Sequence, residues 1–117
     1  MINLPYPLSV LSQNARVSQK VKQKYTRQYR SMCKHAVLEQ VKESPFDHQK
    51  TIFMKLDFFT DGCRVIDDDN LIGMFKAGRD GIADALGFND VKLKIKDETD
   101  LHLNSEIKKV FVTLWQD

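Results

Sequence analysis

The sequence predicts an α+β fold: a single small domain in which a mixed β-sheet packs against two main helices. Three observations predict it. Ile52, Met54, Leu56 and Phe58 alternate with Phe53, Lys55 and Asp57, the period of a half-buried strand. Leu71, Phe75, Ile82 and Leu86 recur at the spacing of an amphipathic helix. The full order reads strand, helix, strand, helix, strand, strand over 117 residues, with no internal repeat, low-complexity segment or linker, so residues 1–117 are read as one domain.

The first element is the extended piece INLPYPLSV. Pro5 and Pro7 end it, because proline cannot donate to a ladder and holds its predecessor extended. Between Ala15 and Lys42 there is neither Gly nor Pro, and Tyr25, Tyr29, Met32, Ala36 and Val37 are spaced for one helical face. ESPFDHQ breaks that helix before the alternating strand TIFMKLDFF. TDGCR is a turn leading to a short extended stretch, Val65 to Asp67. The second helix follows, with Asp69 or Asn70 as its N-cap and Gly87 as its stop. VKLKIK alternates like a strand and carries Lys92, Lys94 and Lys96 on one side, DETDLHLNSE is a polar connector, and KKVFVTLWQD is the terminal strand.

Apolar residues make up 42% of the chain and charged residues 29%, which excludes a disordered or fibrous protein. A core of this size is modest, so a partner subunit sharing apolar surface is in keeping with it. No stretch is long and apolar enough for a membrane span, and MINLPYPLSV has no secretory pattern, so a cytoplasmic location is expected. Cys33 and Cys63 have no metal-binding or disulfide-framework spacing and read as free thiols. The net charge of +2 conceals an asymmetry: residues 1–50 carry nine Lys or Arg against three Asp or Glu, whereas residues 51–117 carry nine against thirteen. A basic front half joined to a carboxylate-rich back half points to a polyanion-binding surface beside an acidic site.

The acidic site centres on Asp67-Asp68-Asp69-Asn70, where an extended stretch meets a helix. Side chains two apart on an extended backbone point the same way, so Asp67 and Asp69 are expected to converge. Converging carboxylates call for a cation, and hard divalent ions prefer oxygen ligands, which makes Mg²⁺ or Mn²⁺ the expected cofactor. Asp90, just past the helix stop, is expected to return as a third ligand. Lys76, with Asp80 one turn later, is expected to steady charge on a phosphate. Each residue also has an ordinary structural explanation: a cap, a solvated helix lysine, a turn aspartate. His35, His48 and His102 lack ligand spacing and read as surface or packing residues. The run Arg16, Lys20, Lys22, Lys24, Arg27, Arg30 and Lys34 is unbroken by acid and includes Tyr25 and Tyr29, a pattern suited to DNA phosphates and exposed bases.

The stretch IDDDNLIGMFKAGRDGIADALGFND is similar to the central motif of the RusA family of Holliday-junction resolvases, in which Asp-x-Asp-Asn-Leu leads into a helix with a lysine and ends near another aspartate. Leu4-Pro5-Tyr6-Pro7-Leu8-Ser9 resembles that family's opening motif, with Leu8 in place of a proline. Three additional residues, nearly one helical turn, stand before Lys76. The resemblance spans nearly the whole chain and implies a homodimeric, phage-type endodeoxyribonuclease. It implies that Asp67, Asp69 and Asp90 hold Mg²⁺ or Mn²⁺, that Lys76 is essential, and that four-way DNA junctions are the partner. A nuclease for other branched or single-stranded DNA, and a non-catalytic DNA-binding homologue, are the alternatives.

Overall fold

Residues 1–12, 15–95 and 99–117 are described by the computed structural model. Among them the chain runs β1 (Ile2–Pro5), α1 (Gln19–Gln40), β2 (Ile52–Phe59), α2 (Asp68–Met74), α3 (Lys76–Leu86), β3 (Leu93–Ile95), β4 (Asp100–His102) and β5 (Lys109–Trp115). The strand order is β1-β5-β2-β3, antiparallel between β1, β5 and β2 and parallel between β2 and β3. This mixed sheet with its helices is the α+β class that the sequence predicts.

β2 is the central strand because its alternation serves two surfaces. Ile52, Met54, Leu56 and Phe58 are fully buried, together with Leu4, Leu93, Val110 and Val112. They meet α1 and α3 through Tyr29, Cys33, Val37, Phe75 and Ile82. The opposite face of the sheet carries half-buried aromatics: Phe53 beside Trp115, and Phe59 against both Phe111 and His102. Cys33 and Cys63 are free, and burial pushes the Cys33 thiol up to about 12. His102 stacks on Phe59 and His48 packs against Phe88, the packing roles expected of them.

α1 and α3 approach closely at Gly81, where a Cβ would stand 2.5 Å from the Arg30 carbonyl oxygen. Arg30 also forms a two-pronged bond to Asp84, at 2.6 and 2.8 Å. At the far edge of the sheet, the Gln40 side chain accepts from the Asn3 N–H at 2.7 Å and donates to the Asn3 carbonyl at 2.5 Å. Its amide occupies the hydrogen-bonding positions that a neighbouring strand would take.

Several local expectations need correction. The second helix is two helices, broken at Phe75 (φ −89°, ψ −2°). There the chain turns so that the Phe75 ring drops into the core, edge-on to Tyr29 and Phe58. The N-cap is Asp67, not Asp69 or Asn70. Asp67, the end of the expected extended stretch, is extended (φ −70°, ψ 161°). The buried face of α1 is Tyr29, Cys33 and Val37, whereas Met32 is exposed. The polar connector contributes β4, which pairs with the same edge of β2 as β3 does, because β5 occupies the other edge. Lys92 lies in a single 3-10 turn ahead of β3, so it does not share a strand with Lys94. Lys96, Asp97 and Glu98, of the expected strand end and connector, lie outside the described residues. No helix among the described residues is long and apolar enough to cross a membrane.

Candidate functional site

Asp67 is the last extended residue before α2, and its carboxylate accepts from the Asn70 N–H at 3.0 Å. Asp68 and Asp69 fill the first helical turn, where backbone N–H groups favour negative charge. All three are exposed. Asp68 accepts from the Thr99 N–H at 3.2 Å, tying α2 to the approach of β4. Because the helix begins at Asp68, the two-residue period of extended chain stops there. It gives no reason for Asp67 and Asp69 to point the same way.

Asp90 does not return to this point. The parallel register pairs Ile52 with Leu93, three residues after Asp90, and Asp57 with Asp100, next to the Thr99 that holds Asp68. Five residues of β2 separate the two levels, roughly 16 Å at about 3.3 Å per residue. Asp90 instead lines a hollow with Asp80, Asp84 and Arg30. Burial pushes the Asp80 carboxyl above its ordinary range, Arg30 opposes this, Asp90 reinforces it, and Lys76 opposes it again. Lys76, exposed at the head of α3, therefore belongs to one electrostatic neighbourhood with Asp80 and Asp90.

Among the described residues no group of three or more His, Cys, Asp or Glu is arranged to hold a metal ion, so the three-aspartate set is not assembled within one chain. What the chain presents at α2 is a pair of exposed hard oxygen donors, Asp67 and Asp69. That is a donor set Mg²⁺ takes when waters and substrate phosphates complete its shell.

Asp67 and Asn70 also line a cleft of about 900 Å³. Its walls come from three distant segments: Pro5 to Ser9, Thr60 to Asp67, and Lys108 with Lys109. The loop after β2 is braced there, with the Thr60 N–H donating to the His102 carbonyl at 3.0 Å and the Ser105 N–H to the Thr60 carbonyl at 2.9 Å. Tyr6 is held by an edge-on contact to Phe58, and burial raises its phenol above the ordinary value, the Thr60 side chain opposing. The Lys108 ammonium sits 5.4 Å from the Tyr6 ring centre. Sequence reasoning missed Tyr6, Arg64, Lys108 and Lys109. Arg64 before the Asp run and the Lys108-Lys109 pair in an otherwise acidic half were the available signals.

The basic run divides three ways. Lys20, Lys24, Arg27 and Lys34 recur at i, i+4, i+7 and i+14, an exposed ridge opposite the buried Tyr29 face, and Arg16 is exposed ahead of it. Lys22 turns inward, its ammonium 3.5 Å from the Ser12 carbonyl, and lines a hollow with Lys76 and Asp80. Arg30 is committed to Asp84. The ridge is about 21 Å long, from 14 residues at about 1.5 Å each.

Compared with known proteins, the chain matches no family model and no curated sequence.

Proposed function

We propose that this chain is a structure-selective endodeoxyribonuclease that hydrolyses phosphodiesters at four-way DNA junctions, with Mg²⁺ or Mn²⁺ as cofactor. One observation carries the reading. Exposed Asp67, two residues before Asp69 with Asp68 between them, stands in the wall of a cleft that also bears Arg64, Lys108 and Lys109. Oxygen donors for a cation thus adjoin cations for phosphate. Asp67 and Asp69 would hold the metal, which when bound supplies an activated water and neutralises charge on the phosphate. Arg64, Lys108 and Lys109 seat the phosphates entering and leaving the cleft. Lys76 stands ready for phosphate charge on the α3 side, in a hollow it shares with Asp80 and Lys22. Arg16 and the ridge Lys20, Lys24, Arg27 and Lys34 hold a duplex arm through counterion release. In a homodimer, two such sites meet two equivalent strands of the junction.

A second reading, a DNA-binding protein without cleavage, is favoured by the separation of Asp90 from Asp67 and Asp69. The experiment is cleavage of labelled four-way, flap, single-stranded and linear DNA in Mg²⁺ and in Mn²⁺, by the unmodified protein and by Asp69→Asn. Paired nicks in the four-way substrate that vanish in Asp69→Asn support the resolvase reading. Cutting of flaps or single strands with the junction spared assigns a different branched substrate. Tight binding with no cleavage in either metal refutes the enzyme and leaves the binding protein.

A further inference from the structure

The cleft beside Asp67 is built for more than phosphate. At about 900 Å³ it falls within the range of about 300–1,000 Å³ usual for small-ligand sites, far more room than a backbone phosphate needs. Its walls combine two chemistries. One is apolar and aromatic, with Tyr6, Pro7, Leu8 and Val65; the other is cationic, with Lys108 and Lys109. Val65 is 76% exposed at the rim, an apolar side chain with nothing over it. The Tyr6 ring packs edge-on with Phe58, and the Lys108 ammonium lies 5.4 Å from its centre. A flat, fixed ring in a wide opening with a cation over it is the setting in which a planar group stacks at little ordering cost.

We propose that this cleft takes a single unpaired deoxynucleotide of the strand being cut, its base stacked on Tyr6 and its flanking phosphates held by Arg64, Lys108 and Lys109. The inference rests on the nuclease reading and names what that site selects. Charge complementarity fixes the occupant: three cations and an aromatic floor match a nucleotide, whereas an apolar peptide would leave the cations unmatched. A linear duplex must unstack a base to fill the cleft, at a cost of a few kcal/mol, while a branch point already has broken stacking. Selectivity for branched DNA then follows from the cleft, separately from the ridge on α1.

The test places 2-aminopurine at the branch point of a four-way junction and measures its emission and the junction's anisotropy together, without divalent metal so that nothing is cut. The proteins are the unmodified chain, Tyr6→Phe, Tyr6→Leu and Val65→Asp. Binding is expected to change 2-aminopurine emission in the unmodified protein and in Tyr6→Phe, which keeps the stacking face. Tyr6→Leu is expected to lose that change and to bind labelled oligothymidylate on the order of ten-fold more weakly, the worth of one stacked base. Val65→Asp, at an exposed position that does not endanger folding, is expected to weaken the oligothymidylate as well.

Junction binding with no change in emission overturns the nucleotide cleft while leaving the nuclease reading intact. A loss in Tyr6→Phe equal to that in Tyr6→Leu also overturns it, because the hydroxyl and not the ring face would then be the part of Tyr6 that acts. If no DNA binds, both readings fall together.

Discussion

Replacing Gly81 by alanine tests the packing on which the helix layer depends. On helix propensity alone the change is favourable by about 1 kcal/mol, since Gly is the poorest ordinary helix former and Ala the best. The structure opposes it. The new Cβ would stand 2.5 Å from the Arg30 carbonyl oxygen and 3.0 Å from both Cys33 Cβ and the Lys34 nitrogen. The nearest atom belongs to the backbone of α1, so no side chain can swing aside. The two helices must separate, at an overpacking cost of about 1–3 kcal/mol, and the obstruction by backbone places this change at the upper end. Subtracting the propensity gain leaves a net loss of about 1–2 kcal/mol. Each kcal/mol corresponds to about 4–8 °C in melting temperature for a domain slightly smaller than this one. The assay is urea unfolding alongside a thermal melt. The expected result is a lower midpoint with an unchanged slope, because the same surface is exposed on unfolding. A variant more stable by about 1 kcal/mol would mean that propensity outweighs contact, and would refute the close approach of α1 and α3.

Gln40→Ala should cost about 1 kcal/mol for the lost hydrogen bonds and produce concentration-dependent self-association, followed by light scattering; unchanged stability and solubility would count against the edge-capping role. Asp80→Asn should raise the melting temperature near neutral pH. Folding raises the Asp80 carboxyl, so the penalty is full above its folded value and absent below the unfolded value of about 3.9. A gain that persists unchanged at about pH 3 would contradict that origin. Lys24→Ala with Arg27→Ala should flatten the dependence of junction affinity on salt by roughly two ion equivalents, measured by anisotropy across a salt series; an unchanged slope would remove the ridge from the DNA interface.

The sheet was legible where one strand serves two environments. Alternation in β2 needs no long-range information, so its buried and half-buried sides could be assigned from the residues alone. The break at Phe75 was not legible, because Leu71, Phe75, Ile82 and Leu86 keep the same spacing whether the helix is straight or bent. β4 escaped because two of its three residues, Asp100 and His102, are polar and exposed on an edge. At the candidate site, the local feature was readable in kind: an aspartate does cap the helix, two positions earlier than expected. The placement of Asp90 was not, since it depends on the level at which β3 joins β2. The commitment of Arg30 to Asp84 joins residues 54 apart, and the cleft gathers three separate segments. Neither leaves a periodic trace.

The amide of Gln40 also bears on how freely this sequence can drift. An exposed residue at the last turn of a helix would ordinarily accept almost any polar replacement. Here both ends of the side chain are in use, one giving a proton and the other receiving one. Glutamate would keep the accepting end and set a negative charge against the Asn3 carbonyl, while lysine would keep only the donating end. Solvent exposure is therefore a poor measure of mutational freedom at position 40. Among relatives, this surface site should vary as little as the core beneath it.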